Sequence, residues 1–188
     1  VDVVVSERAL REMYLKGFEI AVREGEARSI MSSYNAVNGI WAASHYDLLT
    51  TILRREWGFD GMVMTDWWAR MNGTETEPGR RENTSAMIRG QNDTDMVVSD
   101  AAANSNSDNT AQGLAEGRVT RAELLRAAEN IVRTILQYPV MERTLGRTSE
   151  EELAEWKAVD AEGAGKAPFD LVYHELDVAL RALGFERK

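Results

Sequence analysis

The sequence predicts an α/β fold built from repeated strand–helix units, and three observations carry that prediction. Short apolar runs at 29–34, 62–65 and 95–98 lack the alternation of a half-exposed strand and read as buried parallel strands. Their ends, near Tyr34, Asp66 and Val98, recur every 32 residues. Each interval holds a helix-period pattern, so every repeat has room for one strand and one crossover helix. This spacing fits a parallel α/β layer or a (β/α)8 barrel. A whole barrel takes about 250 residues, so the 188 residues here hold only part of one.

Taken in order, residues 6–24 place Leu10, Met13, Tyr14, Phe18, Ala21 and Val22 at spacings of three and four behind Ser6 as N-cap. This predicts an amphipathic helix ended by Gly25. The strand at 29–34 is closed by Asn35 and the Asn38-Gly39 turn. Ser44-x-x-Asp47 reads as a capping box for a helix carrying Leu48, Leu49, Ile52 and Leu53 as far as Trp57-Gly58. The turn at 58–61 leads into the strand at 62–65. A polar loop at 69–80, a weaker helix at about 82–89 and the strand at 95–98 come next. A short helix is expected over 108–117. Thr120-x-x-Glu123 is a second capping box, opening a long helix with Leu124, Leu125, Ala128, Ile131, Val132, Ile135 and Leu136 before Tyr138-Pro139. Beyond Gly146 the composition turns acidic and then linker-like. The chain therefore divides into a partial barrel at 1–147 and, at 148–188, a mainly helical tail or the start of another unit.

Composition removes several classes of function. With 22 Lys+Arg against 31 Asp+Glu the net charge is −9, which argues against wrapping nucleic acid or docking on anionic lipid. No cysteine is present, so disulfides, thiolate metal sites and thiol nucleophiles drop out. No apolar run approaches the roughly 20 residues of a membrane span. Residues 1–5 carry no basic leader pattern, which favours a cytoplasmic location, and the first residue is Val rather than Met, so a fragment of a longer protein is expected.

Asp66 is the strongest candidate for chemistry, because it comes directly after the strand at 62–65 and the carboxyl ends of parallel strands face the ligand. An Asp in this place is often only a loop or cap residue. The adjacent Trp67 and Trp68 favour more, since an aromatic face beside a carboxylate holds a pyranose ring well; the plainer alternative is that one Trp is a lid on the core.

The stretch Met31-Ser32-Ser33-Tyr34-Asn35-Ala36-Val37-Asn38-Gly39, followed by Leu53-Arg54-Arg55-Glu56-Trp57-Gly58-Phe59-Asp60-Gly61-Met62-Val63-Met64-Thr65-Asp66-Trp67, resembles the core signature of glycoside hydrolase family 3, the β-glucosidase family. The resemblance extends more weakly over about residues 3–138 and implies the C-terminal half of a (β/α)8 TIM-type barrel. It implies that Asp66 is the nucleophile of a retaining β-glycosidase, that Tyr34 donates a hydrogen bond beside it, and that Met31 and Trp67 line the sugar subsites. It also implies that the acid/base residue and a Lys-His sugar clasp lie outside this segment. The substrate class is β-linked glucosides or oligosaccharides; xylosides share the same Asp. No cofactor is implied. The residue types suit this chemistry: an ionised carboxylate attacks the anomeric carbon while a second carboxyl about 5–5.5 Å away acts as acid and then base, and a phenol donor favours the ionised form.

Where the family has Ala-Gly-x-Asp-x-x-Met, this chain departs with Gly90-Gln91-Asn92-Asp93-Thr94-Asp95-Met96. Asp93 reads as a cap or turn carboxylate before a sugar contact. Asp93 and Asp95 lack the spacing of a cation loop. His45 and His174 are far apart and no Ser sits in a nucleophile elbow, which argues against a Ser-His-Asp triad. Asn72, Asn83 and Asn92 fit the glycosylation pattern, which arises often by chance. Arg54-Arg55 reads as a solvated helix end, and Arg118, Arg121, Arg126 and Arg133 as solvated helix positions. Two other readings compete. One is a non-catalytic carbohydrate-binding or scaffold piece, whose uncovered strand edges call for the missing half barrel, a second domain or self-association. The other is a barrel enzyme for phosphorylated substrates, which needs a Gly-rich loop that residues 92–100 do not supply.

Overall fold

The computed structural model describes residues 1–96, 100, 103–138, 141, 146 and 150. The chain forms two compact units, Val1–Thr134 and Ile135–Lys188. The first contains every element that positions the site, and the expected tail at 148–188 lies almost wholly outside the described residues.

Strand β1 (Asp2–Val3) pairs parallel with β3 (Ala36–Val37), which turns back antiparallel into β4 (Ile40–Trp41). Asn38 and Gly39, both at positive φ (50° and 89°), make the tight hairpin turn that the Asn-Gly pair favours. The sequence pattern marks this turn but not the short strands on either side of it. Strand β2 (Ser29–Met31) pairs parallel with β5 (Met62–Met64), Ser29 opposite Met62 and Met31 opposite Met64. A further parallel bridge joins Met64 to Thr94. The third strand position therefore begins at Asp93 and Thr94, whose N–H groups both donate to the Val63 carbonyl at 2.9 and 3.3 Å. The expected run at 95–98 starts too late, and its Val97 and Val98 lie outside the described residues. Paired residues are 33 apart between β2 and β5 and 30 apart in the next repeat, close to the anticipated period.

Ser6 does cap the first helix, its hydroxyl accepting the Ala9 N–H at 3.3 Å. That helix is composite: α1 (Glu7–Ala9), a π-helical turn at Leu10–Tyr14, then α2 (Lys16–Arg23). Its apolar stripe is not buried as the periodicity suggests. Met13, Tyr14 and Phe18 are exposed, and the stripe borders a hollow of about 330 Å³ lined by Leu10, Tyr14, Phe18, Ile30 and Trp57. Only Val22 reaches the main cluster of Leu49, Leu53, Phe59 and Val63.

The crossover helix between β2 and β5, Asp47–Glu56, is π-helical, closing with Trp57 N–H on the Ile52 carbonyl at 3.0 Å. Ser44 does not cap it. Its hydroxyl is committed to Asn72, donating to the main-chain carbonyl at 2.9 Å and accepting the N–H at 3.0 Å, while His45 Nδ1 accepts the Leu48 N–H at 3.4 Å in its place. Gly61 opens β5 where a Cβ would meet the Arg28 carbonyl oxygen at 2.1 Å, so the strand can approach β2 only through glycine here. Helices α3 (Thr84–Arg89), α4 (Thr110–Ala115) and α5 (Arg121–Leu136) complete the unit. The Thr120–Glu123 box forms reciprocally, with Glu123 Oε2 accepting the Thr120 N–H at 2.7 Å and Thr120 Oγ1 accepting the Glu123 N–H at 3.2 Å. A second core cluster, Ala43, Ala69, Met71, Met87, Ile88 and Val119, seats α3. Among the described residues no helix is long and apolar enough to cross a membrane.

Candidate active site

Pairing of β2 with β5 brings Met31 and the residues after it to the same edge as Asp66. Met31 ends β2 opposite Met64, and Asp66 lies two residues beyond the end of β5. Tyr34 faces Asp66 closely enough for the carboxylate to act on its phenol, which is pushed above the ordinary value of 10 by lost hydration first and then by the charge and hydrogen-bonding pull of Asp66. One oxygen of Asp66 also accepts the Trp67 N–H at 2.7 Å, and the Asp66 carbonyl accepts the Ala69 N–H at 3.3 Å. The turn so formed holds Trp68 at φ 55°, a costly conformation for a bulky side chain. Met31, Tyr34, Trp67 and Trp68 are all exposed, at 46%, 47%, 43% and 57%. An anionic carboxylate with a phenol donor on one side and aromatic surface around it can attack an electrophilic carbon and seat the apolar face of a sugar ring.

Behind this edge the arrangement is buried and structural. Asp93, whose sequence setting suggests a cap or turn residue, is an ion-pair centre. Its Oδ2 meets Arg54 Nη2 at 2.6 Å and the Val63 N–H at 2.8 Å, and its Oδ1 accepts from Asn130 Nδ2 at 2.9 Å. Burial pushes the Asp93 carboxyl up, against the pull of Arg54, Val63 and Asn130. Arg54 is accordingly not a solvated helix end: it also donates to the carbonyls of Gly61 and Gln91 at 3.0 and 3.1 Å and stacks over Phe59. Arg126, too, is half-buried and donates to the Ile88 carbonyl, whereas the helix pattern puts it in solvent.

The three glycosylation-pattern asparagines, Asn72, Asn83 and Asn92, are buried. Asn72 pins the hairpin, accepting the Trp41 N–H at 2.9 Å and donating to the Gly39 carbonyl at 3.0 Å. Asn92 ties Ser32, just after β2, to the Ala43 carbonyl. Sequence reasoning misses Thr65 and gives Asp95 no role beside it. Thr65 is fully buried and donates to Asp95 Oδ1 at 3.0 Å. The available signal is the hydroxyl directly preceding Asp66.

Parallel strands joined by a crossover helix define the class, an α/β protein with a carboxylate and aromatic residues gathered past a strand end. The chain belongs to glycoside hydrolase family 3: residues 2–134 match the model of the glycosyl hydrolase family 3 N terminal domain. It is 52% identical over 153 residues to a β-glucosidase of Ruminococcus albus, covering 81% of this chain and 16% of that protein. It is 34% identical over 132 residues to an exo-α-(1→6)-L-arabinopyranosidase of Bifidobacterium breve, covering 70% of this chain and 15% of that one. Among solved structures, a β-glucosidase from Paenibacillus barengoltzii matches with TM-score 0.72 at 62% identity, covering 74% of this chain and 15% of that one. β-Glucosidase 3B from Thermotoga neapolitana in complex with glucose matches with TM-score 0.64 at 34% identity, covering 88% and 22%. These neighbours have a TIM-barrel domain, and the chain spans only a small part of each relative.

Proposed function

We propose that this chain is the nucleophile-bearing, C-terminal half of the barrel of a retaining β-glycosidase. In this reading Asp66 Oδ attacks the anomeric carbon of a terminal β-linked sugar and the bond to the aglycone oxygen breaks. The resulting covalent glycosyl-enzyme is then hydrolysed by water. Tyr34 holds the carboxylate and loses hydrogen-bond strength to it as the charge is consumed, while Met31 and Trp67 flank the sugar. The acid/base comes from outside residues 2–134, supplied by further chain or by a partner. The observation that carries the reading is the parallel pairing of β2 with β5, which brings two family-signature elements to one strand edge and sets Asp66 where its charge acts on Tyr34. A β-glucoside is the favoured substrate because the R. albus and P. barengoltzii relatives bear that name.

Asp66→Asn conserves volume and the Trp67 N–H contact but removes the nucleophile. It is expected to lower turnover of aryl β-glucosides by at least about 1,000-fold, in whatever form of the protein turns over, with an unchanged circular dichroism spectrum. Turnover within a few-fold of the parent would remove Asp66 from this role.

A further inference from the structure

We infer that Thr65 and Asp95 are a positioning pair that fixes the direction in which the Asp66 carboxylate leaves strand β5. The inference rests on the reading of Asp66 as nucleophile. Thr65 is the last residue before Asp66, and none of it is exposed. Its N–H donates to the Thr94 carbonyl at 3.0 Å. Its hydroxyl donates to Asp95 Oδ1 at 3.0 Å and accepts the Met96 N–H at 2.9 Å. The hydroxyl thus both donates to and accepts from the neighbouring segment. The bridge of Met64 with Thr94 ends the ladder two residues short of Asp66. The Thr65 side chain carries the anchorage past that point.

The turn on the far side of Asp66 makes such an anchor necessary. From Asp66 to Ala69 it is closed by a single main-chain bond of 3.3 Å and carries Trp68 at φ 55°. A left-handed backbone is unfavourable for a bulky residue. The turn thus holds an unfavourable residue next to Asp66, and its geometry, with the Trp67 N–H contact to the carboxylate, depends on the fixed peptide at Thr65. Asp95 supplies the acceptor. It is half-buried, and burial pushes its carboxyl up, against the pull of the Thr65 hydroxyl and Asn106. A carboxylate displaced by about 1 Å from its attacking position loses up to about 100-fold in rate.

The Tyr34 phenol reports where Asp66 points, without requiring turnover. The 188-residue chain would carry 13C-labelled tyrosine, with Tyr34 assigned through Tyr34→Phe, and its titration would be followed by NMR in Asp66→Asn, Thr65→Val, Thr65→Ser and Asp95→Ala. Asp66→Asn sets the scale by lowering the Tyr34 midpoint toward the ordinary phenol value. The expected result is a fall of the same sign in Thr65→Val, a smaller one in Asp95→Ala, and the parent midpoint in Thr65→Ser, which keeps the hydroxyl. If Thr65→Val does not fold, Asp95→Ala, which leaves the bond from Met96 to Thr65 intact, decides. Folded Thr65→Val or Asp95→Ala with the parent midpoint overturns the inference, and so does an unmoved midpoint in Asp66→Asn. The nucleophile reading fails separately, on the absence of covalent labelling at Asp66.

Discussion

Asp66 follows the end of β5 and Asp93 opens the neighbouring strand position, and the groups around them divide their work. Asp66 is half-buried, with exposed Trp67 beside it, whereas the Asp93 side chain is wholly buried between Arg54, Val63 and Asn130. Asp66 is legible because a strand end precedes it and two tryptophans come after it, but Arg54, 39 residues before Asp93, is visible only in the fold. Removing one member of a buried pair leaves the other charge uncompensated, so Asp93→Ala should destabilise by about 3–5 kcal/mol, read as a lower urea midpoint. Arg54→Met combined with Asp93→Ala should recover much of that loss, since the desolvation of both ions is then relieved. A double variant as unstable as the summed single variants would show that the two side chains act independently.

Whole elements show the same division between local and distant causes. The box at Thr120 and Glu123 forms as read because both partners lie within four residues. The one at Ser44 fails because Asn72, 28 residues on, takes the hydroxyl. The stripe on α1 and α2 is legible as a pattern but not as a burial, since burial depends on what packs against it. At the crossover helix the His45 ring replaces the expected cap, and burial pushes its imidazole below the ordinary 6.5. Only the neutral ring has a lone pair for the Leu48 N–H. The folded state binds fewer protons than the unfolded state as the pH falls, so this contribution is complete above about pH 6.5 and is lost as the pH drops through the folded midpoint. Urea unfolding from about pH 7 to about pH 5 should show stability falling on the acid side, and His45→Asn should flatten the slope there. An equal slope in His45→Asn would exclude His45 as its source.

At the scale of the molecule, the parallel pairing of β2 with β5 and the family-3 relationship are both readable, because a near-constant repeat and a long motif are properties of the chain itself. The extent of burial is not. Met13, Tyr14 and Phe18 remain exposed on one helix face, a patch of the kind that water disfavours. The 21.0 kDa chain is expected to elute from size-exclusion chromatography as an associated species at micromolar concentration, and Phe18→Ser should shift it toward the monomer. Elution as a monomer throughout would show that this face needs no cover. The central claim is that Asp66 becomes glycosylated. It is tested most directly by incubation with a 2-fluoro-β-glucoside bearing a dinitrophenyl leaving group, followed by peptide mapping by mass spectrometry. Dinitrophenolate departs without a proton, so no acid/base residue is required for the first step. A stable 2-fluoroglucosyl adduct on the peptide containing Asp66, lost in Asp66→Asn, is the predicted result; an adduct on another carboxylate, or none in this chain or in any longer form of the protein, would contradict it.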